Sequence, residues 1–394
     1  MDMGGTSCDV SLVRDGDPVV TTEGAVGDYP VTVPMVDVHT IGAGGGSIAW
    51  VDEGGSLRVG PKSAGADPGP ICYGRGGTEP TVTDAHLLLG RIDPAAFFEG
   101  SADESAVREA VRESVADPLG LSVEAAAQGI VDVANANMER ALRVVSVERG
   151  HDPRDFSLVA YGGAGPLHAA ELAAELDVPR VVVPRSAGVL SALGLLISDA
   201  AYEEGVSAVR PWAEVDPTDL TERFEAMEAE GRERLESEGY GPDRRRFERV
   251  VDLRYRGQSF DLRVPMPEGR LDADALDDAA DRFHDRHERR YGHASPDEPV
   301  ELVTIRLRSR GVVDPPALSM ADGATADAEA TPRTTRPATF GGETGETPVY
   351  DRETLGPGAE LDGPAVIEGV ESTAVVPPAA DAHVDGLGNV VIEP

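Results

Sequence analysis

The sequence predicts an α/β protein: a core built around a parallel sheet, an α+β region after it, and a small β module at the end. Three observations carry this reading. Residues 156–183 run strand, glycine loop, helix, strand within about thirty residues, the grammar of a parallel α/β sheet. Residues 216–307 alternate charged helical stretches with strands. Residues 363–393 hold short apolar runs between Gly/Pro turns.

In chain order, the opening MDMGGTSCD is a Gly-rich turn with no strand in front of it. Such turns normally follow a buried strand that positions the backbone amides, so a strand supplied from elsewhere is expected ahead of Asp2. Val10–Val13 and Val19–Thr22 read as short strands. Residues 36–80 are Gly-rich but anchored by Ile41, Ile48, Trp50, Val51, Leu57 and Val59, which predicts short strands and tight turns rather than a flexible linker. Helices are expected over Thr83–Leu89, Asp103–Val115 and 123–149, the last ended by Gly150 and Pro153. Phe156–Tyr161 is a buried strand, Gly162–Pro166 a tight loop, Leu167–Leu176 a helix and Arg180–Val183 a second strand. Ser191–Ile197 continues as an apolar helix. Beyond it, Leu220–Glu238 and Ala273–Tyr291 read as helices, and Val250–Tyr255, Phe260–Val264 and Val300–Leu307 as strands. Residues 319–347, rich in Ala, Asp, Thr, Pro and Gly, read as a linker or long loop. The expected division is therefore 1–212, 213–318, a linker at 319–347, and 348–394.

Composition excludes several classes. The 394 residues carry 71 acidic and 35 basic side chains, a formal net charge of −36. Such a field repels a phosphate backbone and an anionic bilayer, so neither nucleic acid nor a membrane is an expected partner. At 40% hydrophobic the chain has the means to fold. Lys62 is the only lysine; the other basic residues are arginine. An acidic, lysine-poor surface fits a halophile, whose salty cytoplasm shortens the Debye length to a few Å; an acidic bias of a GC-rich genome is the alternative. The cysteines Cys8 and Cys72 cannot form a disulfide framework. No apolar run approaches a membrane span and no signal peptide opens the sequence, which predicts a cytoplasmic protein.

Three glycine clusters carry the chemistry. Asp2, Gly4, Gly5, Thr6 and Asp9 form the first: glycines admit a phosphate close to the backbone, amides and a hydroxyl can hold its oxygens, and a neighbouring carboxylate can hold Mg²⁺. Gly44, Gly45 and Gly46 lie in GAGGGS, where three consecutive glycines cost backbone entropy and imply positive φ or close approach. Gly162, Gly163 and Gly165 sit at a strand-to-helix junction, where free amides and the helix dipole suit a phosphate. GGAGP is not the dinucleotide fingerprint, and no GK[ST] occurs. Each cluster also has a plain reading as a turn. Lys62 could supply a point-charge contact. His39, His86 and His168, near Asp37, Asp67 and Asp84, could bind metal or move protons, but no metal-ligand spacing supports this and structural histidines are expected. Cys8 lacks an adjacent base. The arginine runs 244–246 and 286–290 read as solvated helix faces paired with acids.

Together these segments resemble the hydantoinase A/5-oxoprolinase family. The resemblance rests on MDMGGTSCDVSL, TIGAGGGSIAWVD, GPKSAGADPGPICYGRGG, PTVTDAHLLLGRI, SVERGHDPRDFSLVAYGGAGPLHAAELA and VPRSAGVLSALGLLISD, then RYRGQSFDLRV, FHDRHERRYGH and GPAVIEGVESTAVVPP, in the family's order over almost the whole chain. It implies a partial actin/sugar-kinase/Hsp70-like ATPase core over 1–212. It implies that DMGGTSCD is a phosphate-binding turn with Asp2 near Mg²⁺, that Asp2 and Asp9 serve catalysis, and that GGAGP faces the nucleotide. The implied activity is ATP-dependent ring opening of a small cyclic amide, such as a hydantoin or 5-oxoproline, by phosphorylation of the carbonyl oxygen. A ketone carboxylase of the acetone or acetophenone type and a non-catalytic assembly protein are the alternatives. The family's A chains carry an additional N-terminal region with a first DxGGT-type turn, absent from this sequence. A split gene, a mis-assigned start and a truncated remnant are the expected explanations. The implied partners are a hydantoinase B-type subunit and a separately encoded N-terminal A region.

Overall fold

The computed structural model describes residues 1–14, 16–21, 24–26, 29–31, 35–93, 103–314 and 330–394. The chain divides into two compact units, Met1–Leu193 with Leu318–Pro394, and Gly194–Ala317.

The larger unit is organised by two sheets joined through the opening residues. Asp2–Met3 forms a short strand, antiparallel to Cys8–Ser11, which in turn pairs with Val38–Ile41. Asp2 also bridges Tyr161 in parallel. The Tyr161 amide donates to Met1 O and the Met3 amide to Tyr161 O, both at 3.0 Å. Asp2 and Met3 thus form a short strand that leads directly into the glycine turn. A five-stranded sheet runs in the order Leu158–Val159, Val181–Val183, Val390–Glu393, Asp381–Val384, Glu360–Asp362. Its first pair is parallel, Leu158 opposite Val181, as the strand–loop–helix–strand pattern requires. Helices Val82–Leu88, Val123–Val145 and Gly165–Glu175 bury apolar residues in the same core as these sheets, Ile130, Met138 and Leu172 among them. Helix Val123–Val145 shows why the sequence was readable here: Ser122 caps it by accepting from the Ala125 amide, and its buried residues recur every three or four positions.

The C-terminal strands differ from the expected separate module. Val390–Glu393 pairs antiparallel with Val181–Val183, so chain from the far end completes the sheet begun at Leu158. The stretch expected to be a linker also differs. Its residues 319–329 lie outside the described residues. The remainder holds strands Thr334–Phe340 and Glu343–Asp351 of a four-stranded sheet with Ala365–Glu368 and Thr373–Val376. Composition hid them because their buried anchors, Ala338, Phe340 and Val349, are diluted by Thr, Gly and Pro.

The smaller unit is α+β. Its antiparallel sheet runs Ala200–Pro211, Val300–Gly311, Arg245–Tyr255, Leu262–Met266. Helices Pro217–Ser237 and Ala273–Tyr291 pack Phe224, Met227, Leu276 and Phe283 into its core. Arg244 and Arg245 pair with Asp314 and Glu236, but Arg246 and Arg286 donate to backbone carbonyls rather than to acids. Among the described residues no helix is long and apolar enough to cross a membrane.

Candidate functional site

The opening hairpin places two carboxylates side by side. Its register sets Asp2 opposite Asp9 and Met3 opposite Cys8. Alternation along the strands sends Met3 and Cys8 into the core, fully buried, and leaves Asp2 and Asp9 on the partly exposed face. Facing residues of an antiparallel pair have Cβ atoms about 5 Å apart, where like charges repel. Each acid is held by a hydroxyl. Ser191 Oγ donates to Asp2 Oδ2 at 2.6 Å, and Thr40 Oγ1 to Asp9 Oδ1 at 2.5 Å. The turn between them is Gly4–Ser7, closed by the Gly4 amide on Ser7 O at 3.1 Å, with Gly5 and Thr6 exposed.

The second glycine cluster buttresses this turn. Gly45 donates to Gly4 O at 3.0 Å and Gly46 to Gly5 O at 2.6 Å. A Cβ on Gly44 would lie 2.5 Å from Thr6 N and 2.6 Å from Gly5 C, closer than real side chains come. The glycines are needed because backbone meets backbone here. Gly44, Gly45 and Gly46 are buried behind the turn, so they shape it rather than face a ligand. Thr83, at the start of helix Val82–Leu88, fixes the loop by giving both its amide and its hydroxyl to Gly45 O at 2.8 Å.

The third cluster closes on the other side of the hairpin. Gly162 takes φ +83°, and a Cβ there would lie 2.4 Å from Met3 O and 2.6 Å from Asp2 Oδ1. Ala164 donates to Met3 O at 3.0 Å, Gly165 is buried against Met3, and Gly163 is exposed at the lip. Helix Gly165–Glu175 starts there with Pro166 in its first turn. The second and third clusters therefore both close on the opening hairpin, one behind the Gly4–Thr6 turn and the other against Asp2 and Met3. A cavity of about 630 Å³ is lined by Arg185, Leu190, Arg352, Glu371 and Asn389 among others. Glu371 links it to the glycine loop: Gly163 and Gly188 both lie against Glu371 backbone.

Other candidates take structural roles. Lys62 pairs with Glu79 at 3.0 Å, both side chains exposed. Asp84 is fully buried and accepts from the amides of Ile71, Cys72 and Thr81 and from the Thr81 hydroxyl, which caps its own helix. Cys8 is buried, which pushes its thiol up to about 12, so it is inert as a nucleophile. His39 lies on the strand opposite Val10. No group of three metal-binding side chains occurs among the described residues. His86 and His168, 82 positions apart, meet in the core with their Nε2 atoms 3.2 Å apart. Sequence spacing gave no sign of that pairing, nor of Ser191 and Thr40 as partners of the two acids.

The fold is α/β. The profile of the hydantoinase/oxoprolinase family matches residues 1–204, and that of the hydantoinase/oxoprolinase C-terminal domain matches 213–388. The chain belongs to the hydantoinase/oxoprolinase family. It is 40% identical over its whole length to the uncharacterised protein MJ0964 of Methanocaldococcus jannaschii, covering 58% of that protein. It is 38% identical to caprolactamase subunit alpha of Pseudomonas jessenii, over 98% of this chain and 56% of the relative. A nucleotide-free structure of acetone carboxylase, from work on ATP-dependent acetone carboxylation, superposes on the entire chain with a TM-score of 0.87 at 28% identity, covering 58% of that chain. The chain thus spans little more than half the length of these relatives.

Proposed function

We propose that this chain is the phosphate- and nucleotide-facing portion of an ATP-dependent amide hydrolase that opens a small ring of the hydantoin or 5-oxoproline type. The observation that carries the reading is the closing of two glycine clusters on the opening hairpin, whose own glycine turn joins the facing carboxylates Asp2 and Asp9. The exposed Gly5 and Thr6, with the lip at Gly163 and the N-terminus of helix Gly165–Glu175, offer amides, a hydroxyl and a dipole to phosphoryl oxygens. On this reading the core is a partial actin/sugar-kinase/Hsp70-like ATPase core, and the cavity beside Glu371 takes the nucleoside.

The donor set fits Mg²⁺, which is usually held by one or two carboxylates and several waters. Asp2 and Asp9 would hold it, and it would neutralise charge on the phosphoryl oxygens. Ser191 and Thr40 hold the two carboxylates in place. The turn amides and Thr6 hydroxyl orient the terminal phosphoryl group toward the substrate oxygen and stabilise its developing charge. Transfer of the terminal phosphoryl group of ATP to an amide carbonyl oxygen, with release of ADP, makes the ring carbon far more electrophilic; water adds there, the ring C–N bond breaks with the nitrogen taking up a proton, and inorganic phosphate is released.

The remaining machinery is proposed to come from a B-type subunit and from an N-terminal A region. The relatives' extra length and the subunit designation of the caprolactamase relative support this. An apolar cavity of about 270 Å³ beside Met1, flanked by Val10–Val13 and Phe156–Val159, is the proposed seat of that region. The excess of 71 acidic over 35 basic residues supports work in a salt-rich, halophilic cytoplasm.

The test is ADP release by the chain assembled with both partners. Release with 5-oxoproline, a hydantoin or caprolactam is expected; release with none of them sinks the hydrolase reading. The second reading, a ketone carboxylase subunit, is favoured by the TM-score of 0.87 to acetone carboxylase. It requires bicarbonate-dependent consumption of acetone or acetophenone.

A further inference from the structure

Helix Val82–Leu88 clamps one glycine loop through Thr83 and helix Gly165–Glu175 opens out of another, and a buried polar chain ties the two helices together. His86 and His168 are fully buried, their rings edge-on with centroids 4.7 Å apart. His168 Nδ1 lies 2.7 Å from Asn135 Oδ1, and Asn135 Nδ2 donates to Glu171 Oε2 at 2.7 Å. Glu171 Oε1 pairs at 3.0 Å with Arg91, whose side chain is fully buried.

The charged end dictates every proton in this chain. An ionised Glu171 can only accept, so the Asn135 amide nitrogen faces it and the amide oxygen faces His168. That oxygen requires a proton on His168 Nδ1. Burial, reinforced by the Arg91 charge, lowers the His168 pKa to about 3, so the ring is neutral and its Nε2 is bare. His86 must then donate from Nε2, which leaves its Nδ1 as an acceptor. That atom is buried with no partner among the described residues. His86 is also held neutral, by burial first and then by His168 and Arg91.

Each histidine lies one helical turn from a loop contact. Thr83, three residues before His86, clamps Gly45 O. Gly165, three residues before His168, opens the helix behind GGAGP. We propose that His86 and His168 are positioning residues for the nucleotide phosphates, their single hydrogen bond setting the spacing at which the Gly44–Gly46 and Gly162–Gly165 loops close on the opening hairpin. The proposal rests on the nucleotide reading above.

The test compares His86→Leu, which removes the donor at similar volume, with His86→Gln, whose amide N–H reaches the position of the His86 Nε2 donor. The full chain and its partners are used. Hydrogen exchange at the Gly45, Gly46 and Ala164 amides is measured without ligand, and Mg-ADP affinity is measured beside it. His86→Leu is expected to speed exchange at these amides and to weaken Mg-ADP about tenfold, with strand Thr373–Val376 unchanged. His86→Gln restores both. Wild-type loop exchange in the Leu variant, equal behaviour of Leu and Gln, or acceleration of every amide in step with a lowered Tm overturns the proposal. If the wild-type assembly binds no magnesium nucleotide, the nucleotide reading falls, and the exchange rates alone decide whether the strut exists. Imidazole ¹⁵N spectra of the wild type need no variant. Neutral rings protonated at His86 Nε2 and His168 Nδ1 are expected, and the opposite tautomers or a charged ring overturn the hydrogen-bond order.

Discussion

Gly5→Ala separates the cradle from the fold. A Cβ built on Gly5 meets nothing within 4 Å, and its backbone is outside the left-handed region. The fold should lose less than about 0.5 kcal/mol, and the stiffer unfolded chain can offset even that. On the proposed function, the methyl group instead enters the space through which a phosphoryl oxygen would approach the turn amides. A carbon keeps an oxygen about 0.5 Å beyond the 2.9 Å of a hydrogen bond, and a lost bond to a charged group is worth about 1.5–3 kcal/mol. That predicts at least about tenfold weaker Mg-ADP binding. Thermal shift reads this directly. Ligand at 100 times its wild-type Kd stabilises by about 2.7 kcal/mol, and the same concentration stabilises a tenfold weaker variant by about 1.4 kcal/mol. Equal ligand-induced shifts in the two proteins would refute the phosphate-cradling role of this turn.

Gly44→Ala should behave in the opposite way. Its Cβ would stand 2.5 Å from Thr6 N, so the turn must move, at about 1–3 kcal/mol; an unchanged urea midpoint contradicts the buttress. Asp2→Asn should leave Tm unchanged or slightly raised, because it relieves repulsion across from Asp9, while ADP release by the assembly falls about 10²-fold. Undiminished turnover removes Asp2 from the chemistry. Stability should also fall on acidification through the histidine pair. His168 titrates at about 3 when folded and near 6.5 when unfolded, so its contribution is complete above pH 6.5. It is lost as pH falls toward 3, at up to about 1.4 kcal/mol per unit for each histidine. His86 shifts in the same direction. Denaturant midpoints from pH 7 to 4 check this; His168→Asn should flatten the slope relative to wild type, and an identical slope counts against it.

Where local pattern and burial agree, the sequence was readable. Helix Ala273–Tyr291 matches its expected limits because Leu276, Ala279, Phe283 and His287 recur at helical spacing between the Asp272 cap and Gly292. Strand Ala200–Pro211 escaped notice. Of its twelve residues only Ala208 is buried, so it exists through its ladder to Val300–Gly311 rather than through an apolar pattern. The strands at 334–351 escaped for a related reason: Glu343–Asp351 is held in part by parallel pairing with Ala365–Glu368, a partner no local window contains.

The amino-acid order alone determined the family resemblance, the helices with strong caps and periodicity, and which glycines and acids were candidates. These depend on neighbours a few positions away. Only the tertiary structure decided what each candidate does. Gly44 must lack a Cβ because Thr6 N passes behind it, and Gly162 because Met3 O does. Asp2 and Asp9 become one pair through strand register, and His86 finds its acceptor 82 residues away. Such roles arise from atoms brought close by chain folding, and steric exclusion and hydrogen bonding act only over those few ångströms.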